Sequence, residues 1–245
     1  MIELNEVSKT YGKKRVVGPI TLTIEKGQIV GLIGPNGAGK STLLHMLGTL
    51  LTPSTGSISV EGKEISEDVK EIRRSLGFVP QEIALYSGLT AKDNVNFFAR
   101  IAHRPVPKEW VSRLIEMAGL TKHMTKKVKH LSGGMQRKLN IIVALLNDPD
   151  WLLMDEPTVG IDIQSKQEIV SFIRQLGNEG KTIIYSSHDP WEIETLCDRL
   201  LVLNEGRAVF YGTKEEALKQ ARERFPGLTE TPSFSDLLGM IGMWR

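Results

Sequence analysis

Three scarcities bound what this chain can be. Cys197 is the one cysteine among 245 residues, which excludes an intramolecular disulfide framework and fits a reducing compartment. Its apolar neighbours mark it as an inert core thiol rather than a nucleophile. No segment approaches the roughly 18 to 20 uninterrupted apolar residues that a membrane-spanning helix requires. Nor does one sign of charge dominate: 31 Lys and Arg against 29 Asp and Glu leave +2, without the strongly basic face that holds nucleic acid. Met1-Ile2-Glu3-Leu4-Asn5-Glu6 lacks a basic stretch followed by an apolar one, so no secretory signal is expected, and neither end shows a lipidation signal. These absences predict a cytoplasmic chain that reaches a membrane through a partner.

What is present is an ordinary globular composition, 40% hydrophobic and 24% charged, with enough length for a full core. Alternation at Ile2-Leu4 and Ile20-Leu22-Ile24 predicts strands, closed by the turn at Glu25-Lys26-Gly27. The continuous apolar run Ile29-Val30-Gly31-Leu32-Ile33 predicts a strand buried on both faces. A glycine-rich loop, a helix over 41–50 and a short strand within 56–62 follow. From about Gln81 the spacing turns helical, over 90–103 and 108–118, broken at Arg104-Pro105-Val106-Pro107. Beyond it, Trp151-Leu152-Leu153-Met154 and Thr182-Ile183-Ile184-Tyr185 read as buried strands separated by a helix over 164–177. A hairpin is expected around Asn204-Glu205-Gly206. Strand–helix alternation on both sides of a helical insert predicts an α/β core with a helical subdomain.

Two segments carry chemistry. Gly34-Pro35-Asn36-Gly37-Ala38-Gly39-Lys40-Ser41 fits the P-loop pattern between an apolar strand and an apolar helix. Its glycines let backbone N–H groups point at phosphate oxygens, and the following helix presents its positive end to the same anion. Lys40 reaches the terminal phosphates and Ser41 ligands Mg²⁺. The loop alone leaves the nucleotide unspecified. In the second segment the strand Trp151 to Met154 runs into adjacent acids, Asp155 and Glu156, at its carboxyl end, where ligand sites of α/β sheets gather. Adjacent strand residues face opposite ways, so the two acids are expected to do different jobs; the assignment favoured is Asp155 on the Mg²⁺ shell and Glu156 against the attacking water as general base.

Leu131-Ser132-Gly133-Gly134-Met135-Gln136-Arg137 resembles the signature motif of ABC ATPases and lies, as in that family, between the P-loop and the acid-ended strand. Other segments resemble further family motifs in the family order: Tyr11 the adenine-stacking aromatic, Gln81 the glutamine of the Q-loop, Val159-Gly160-Ile161-Asp162 the D-loop and His188 the switch histidine. The resemblance covers about residues 2–213. Two departures are Met135, where the common signature has glutamine, and the Val-Gly-Ile start of the D-loop segment. Leu-Ser-Gly-Gly-Met-Gln-Arg-Lys-Leu, with the segments 188–194 and 196–199, is similar to the drug, lipid and antibiotic exporter branch that pairs with ABC-2-type permeases.

That resemblance implies an α/β P-loop NTPase core of ABC ATPase type, with an N-terminal antiparallel β-subdomain and an inserted α-helical subdomain. The chain is read as one domain over 1–245, in which the resemblance implies a core at about 1–80 and 151–213 and a helical signature subdomain at about 81–150; the tail at 214–245 carries no family motif, and its residues predict a short helix over 214–224 broken at Pro226-Gly227. The implied ligands are ATP and Mg²⁺. Nucleotide contacts fall on Tyr11, Gly34, Pro35, Asn36, Gly37, Ala38, Gly39, Lys40, Ser41 and Thr42, and across a dimer on Ser132, Gly133, Gly134 and Asp162. The metal falls to Ser41, Gln81 and Asp155, and catalysis to Glu156, His188 and Gln81. The implied partners are a second such subunit, identical or not, paired head to tail, and separate membrane permease subunits that engage Leu85, Tyr86 and Leu89. The implied place is the cytoplasmic face of the membrane. The competing readings are a cassette acting on ribosomes or DNA, against which stand the single cassette and the lack of heptads or a basic block, and a small-molecule kinase, in which the signature would have no purpose.

Overall fold

In the first strand, β1 (Ile2–Tyr11), apolar alternation slips by one residue between Leu4 and Val7. Glu6 takes a left-handed φ of 50° and the pairing register shifts there. The resulting bulge returns Val7 to the buried face with Ile2 and Leu4. A turn at Gly12 leads into β2 (Lys14–Ile24), so the expected short strands are two long arms of one hairpin. The structure, a computed structural model, describes residues 1–224 and Asp236; the expected break at Pro226-Gly227 lies outside them.

Next in the chain come β3 (Ile29–Ile33), α1 (Lys40–Leu47), β4 (Thr55–Val60), β5 (Lys63–Glu64), α2 (Val69–Ser75) and β6 (Leu76–Val79). Helices α3 (Ala91–Arg100), α4 (Lys108–Met117) and α5 (Gly133–Leu145) then precede β7 (Trp151–Asp155). The remainder is α6 (Ile163–Asn178), β8 (Thr182–Ser186), α7 (Pro190–Leu196), β9 (Arg199–Asn204), β10 (Arg207–Thr213) and α8 (Lys214–Arg224). The helix expected over 41–50 stops at Leu47, because Gly48 ends it and Thr49 turns to a φ of 60°.

Two sheets result. One is antiparallel in the order β2-β1-β4-β5. The other runs β10-β9-β3-β8-β7-β6, parallel from β9 to β6 with β10 antiparallel at its edge. All five residues of β3, β7 and β8 are buried, as continuous apolar runs require. Val30, Leu32, Leu153 and Ile184 face a core shared with α1 and the antiparallel sheet. Ile29, Leu152 and Ile183 face the opposite core, with Leu139 and Ile142 of α5 and Ile169 and Ile173 of α6. The expected α/β fold, with its antiparallel sheet and inserted helices, is the fold the chain adopts.

The insert is punctuated by local chemistry. Thr90 caps α3 in a reciprocal box with Asp93. Pro105 and Pro107 separate α3 from α4. Trp110 of α4 donates its indole N–H to the Leu145 carbonyl at 3.0 Å, tying α4 to the end of α5.

Candidate active site

The loop between β3 and α1 is held open for an anion. Gly39, immediately before α1, has a φ of 100°, and a Cβ there would stand 2.7 Å from the Val16 carbonyl oxygen. Gly34 owes its identity to close approach instead: its Cβ would meet the Leu203 carbonyl at 2.3 Å. No side chain caps α1 and no acid lies in its first turn, so the first N–H groups of the helix are left for a ligand. Lys40 is buried, with Nζ donating to the carbonyls of Gly34 at 2.8 Å and Pro35 at 3.3 Å. Burial lowers its pKa, while the nearby charges of Glu156 and Asp155 push the other way.

Asp155 closes β7 and is 4% exposed. The Ser186 hydroxyl, one strand over, donates to Asp155 Oδ1 at 2.8 Å and accepts the Glu156 N–H at 2.9 Å. The two acids diverge, as expected, but strand alternation is not the cause. The strand ends at Asp155, and Glu156 turns away through a left-handed φ of 44°. That turn places Glu156 among three predicted site residues. Its Oε1 lies 3.9 Å from Lys40 Nζ and 3.7 Å from His188 Nδ1, and its Oε2 lies 3.4 Å from Gln81 Nε2.

A cavity of about 390 Å³ opens here, lined by Asn36, Gly37, Gly39, Lys40, Ser41 and Thr42 on one side and Gln81 and Glu156 on the other. Val16 completes it, a residue the sequence reading did not single out; its backbone carbonyl is also the group that Gly39 passes so closely. A larger recess of about 630 Å³ beside α2, lined by Glu71, Arg74, Arg104 and Asp148 among others, includes none of the predicted site residues. Ser41, Gln81 and Asp155 offer hard oxygen donors of the kind Mg²⁺ selects. Among the described residues no cluster of three His, Cys, Asp or Glu side chains forms a metal site by itself.

Other predicted residues stand apart from this cavity. Tyr11 ends β1 half-exposed, with Lys9 Nζ 5.4 Å from the centre of its ring. Asp162 caps α6 by accepting the Ser165 N–H at 2.9 Å, and Ser132 caps α5 by accepting the Met135 N–H at 3.2 Å. Ser132 and Gly133 are exposed, whereas Gly134 is buried. A Cβ at Gly134 would come within 2.4 Å of the Ser165 side chain, so its glycine also lets α5 lie against α6. Leu85, expected on the surface, packs against the core, while Tyr86 and Leu89 are exposed.

Arg137, within the signature segment, is a residue that the sequence reading did not single out. It is 5% exposed and donates to the carbonyls of Pro80 at 3.0 Å and Gln81 at 2.7 Å. Asn140, one turn on, accepts the Ala84 N–H at 3.2 Å. Helix α5 thus grips the backbone that carries Gln81. The signal lay in the polar residues at helical spacing among the apolar residues of α5.

Fold and site together define a P-loop nucleoside triphosphatase, and comparison with known proteins narrows the class. Residues 17–159 match the family model described as ABC transporter. The linearmycin resistance ATP-binding protein LnrL of Bacillus subtilis is 41% identical over 219 residues, 88% of this chain and 70% of that protein. The ABC transporter ATP-binding protein NatA of the same organism is 38% identical, over 91% of this chain and 93% of its own length. A solved ATP-binding subunit of an ABC transporter superposes with a TM-score of 0.83 at 26% identity, covering 98% of this chain and 99% of that one. A dimeric ATP-binding cassette in a post-hydrolysis state, bound to ADP and Pi, superposes with a TM-score of 0.76 at 29% identity, covering 87% and 98%. The chain belongs to the ABC transporter family of ATP-binding, ATP-hydrolysing subunits.

Proposed function

We propose that two such subunits, identical or not, pair head to tail over two ATP molecules, and that hydrolysis drives export through separate permease subunits. The observation that carries the reading is the Glu156 carboxylate, held within 4 Å of Lys40, Gln81 and His188 at the mouth of the P-loop cavity. The loop amides and Lys40 bind the phosphates, and Tyr11 offers a half-exposed ring on which the purine stacks. Glu156 accepts the proton of the attacking water, with His188 and Gln81 orienting the reactants. Ser41, Gln81 and Asp155 hold Mg²⁺, which neutralises charge on the phosphates when bound.

Ser132 and Gly133 are exposed at the start of α5 and line no part of the P-loop cavity of their own chain. A helix start of that kind suits the nucleotide of a second subunit, with Asp162 at the same interface. Similarity to a dimeric cassette supports that pairing. Export is supported by the names of relatives, including Nod factor export ATP-binding protein I of Rhizobium etli, 38% identical over 89% of this chain. Among the described residues no helix is long and apolar enough to cross a membrane, so separate permease subunits supply the pathway and hold the chain at the inner face. The exposed Tyr86 ring, edge-on to Phe97 at 5.0 Å, and Leu89 form the surface offered to them.

The experiment is the mass in solution of Glu156→Gln protein, with and without ATP and Mg²⁺. A dimer that forms only with ATP, in a variant that binds ATP without turning it over, is the expected result. Unchanged hydrolysis would remove Glu156 from the role of base, and a variant that binds ATP as a monomer would count against the composite site.

A further inference from the structure

Behind the reacting groups lies a second carboxylate that the proposed chemistry does not use. Glu192, in the first turn of α7, is wholly buried. A carboxylate offers about four lone-pair positions, and here each oxygen meets two donors. Oε1 accepts from Thr158 Oγ1 at 2.5 Å and stands 3.3 Å from Lys166 Nζ. Oε2 accepts from Tyr185 Oη at 2.7 Å and from Ser187 Oγ at 2.6 Å. Burial, and then the Glu192 charge, raises the Tyr185 pKa well above that of an ordinary phenol, which keeps the hydroxyl protonated and able to donate. The Ser187 oxygen in turn accepts the Asp189 N–H at 3.0 Å, which leaves its proton for Glu192.

The donors come from segments that the site must hold in register. Thr158 follows Glu156 by two residues, and Ser187 immediately precedes His188. Lys166 stands on α6, whose cap is Asp162, and also pairs with Asp189 at 2.6 Å, beside His188. A buried charge is costly unless fully paired, and removing one partner exposes that cost. Apolar side chains already fill the core around it, among them Ile193 and Leu196 of the same helix. What the charged network adds is a fixed separation between two backbone segments.

We infer that Glu192 is a positioning residue for ATP hydrolysis. It sets the distance between the Glu156 and His188 segments by fastening Thr158 and Ser187 to one carboxylate. The inference rests on the assignment of Glu156 as base.

Three variants test it. Thr158→Val keeps the shape and deletes one donor, Glu192→Gln turns one acceptor oxygen into a donor facing donors, and Thr158→Ser keeps the hydroxyl. Turnover, ATP affinity and melting temperature are measured for each, with Glu156→Gln alongside. The expected result is a fall in kcat of about tenfold or more in Thr158→Val and Glu192→Gln, since small misplacements of reacting groups cost this much. ATP affinity should stay within about twofold in both, and Thr158→Ser should restore turnover. Turnover that falls only in step with ATP affinity and melting temperature would overturn the inference in favour of a structural role. Wild-type turnover in Thr158→Val and Glu192→Gln, with Glu156→Gln inactive, would overturn the positioning role alone. Wild-type turnover in Glu156→Gln would overturn the base assignment beneath it.

Discussion

Lys40 Nζ and Glu156 Oε1 stand 3.9 Å apart, one at the start of α1 and the other just past the end of β7. The pair joins the phosphate-binding half of the site to the half assigned to water activation. It also separates two roles that substitution can tell apart. Lys40→Ala removes the cation beneath the phosphates, so the expected loss is in nucleotide binding itself. Charge-assisted hydrogen bonds of this kind contribute about 1.5 to 3 kcal/mol, which corresponds to weakening of roughly 10- to 100-fold in a direct ATP titration. Undiminished affinity would count against the phosphate site.

Arg137 should behave as a residue of the site although it lies on the signature helix. Its guanidinium holds the backbone at Pro80 and Gln81 through two donors, a fork that lysine cannot reproduce. Arg137→Lys is expected to lower kcat by about tenfold through loss of Gln81 alignment. It should also lower the melting temperature by several degrees, because a buried polar contact is broken. Steady-state kinetics and thermal denaturation check both halves of the statement.

Gly134→Ala tests the contact between α5 and α6. The added methyl would meet Cβ and Oγ of Ser165 at 2.4 and 2.5 Å, and overpacking of this kind costs about 1 to 3 kcal/mol. A lower melting temperature is expected, with partial recovery when Ser165→Gly is combined with it. Equal melting temperatures for the single variant and the parent would show that the helices yield freely.

Cys197 gives a prediction about pH. Burial is the leading cause that drives its thiol pKa far above the ordinary value. Above about pH 8.5 the unfolded chain loses this proton while the folded chain keeps it, so this group makes stability fall as pH rises beyond that point. Native protein at pH 9 should resist alkylation by iodoacetamide, and labelling should follow unfolding by denaturant. Rapid labelling of the native chain would contradict the burial.

The parts of this molecule that were legible in the sequence have local causes. The P-loop needs its glycines next to an apolar strand, and Ile29 to Ile33 could hardly be anything else in a fold of this class. The turn at Glu205 and Gly206, with positive φ at both, was likewise written in adjacent residues. The less legible parts depend on residues distant in sequence. Helix α2 buries Ile72 alone among its charged residues, which left no apolar period to detect. Arg137 and Glu192 look like solvated helix charges until their partners arrive from other elements. Glu156 was found by its place after an apolar run, but the left-handed turn that aims it is set by the strand end and by Ser186 next door.

The strand that carries the P-loop has a consequence for synthesis. β3 lies in its sheet between β8 and β9, and its register partners begin at Ile183 and Arg199. A growing chain therefore leaves the ribosome with this apolar segment lacking its first strand partner until synthesis has reached β8. At about 5 to 20 residues per second, that wait lasts on the order of ten seconds or more. The contacts among α3, α4 and α5 lie within residues 91–145 and are complete in sequence before β8 is made. The phosphate loop is thus early in the sequence but follows a strand whose two neighbours come late, and a chain cut before residue 182 lacks both of them.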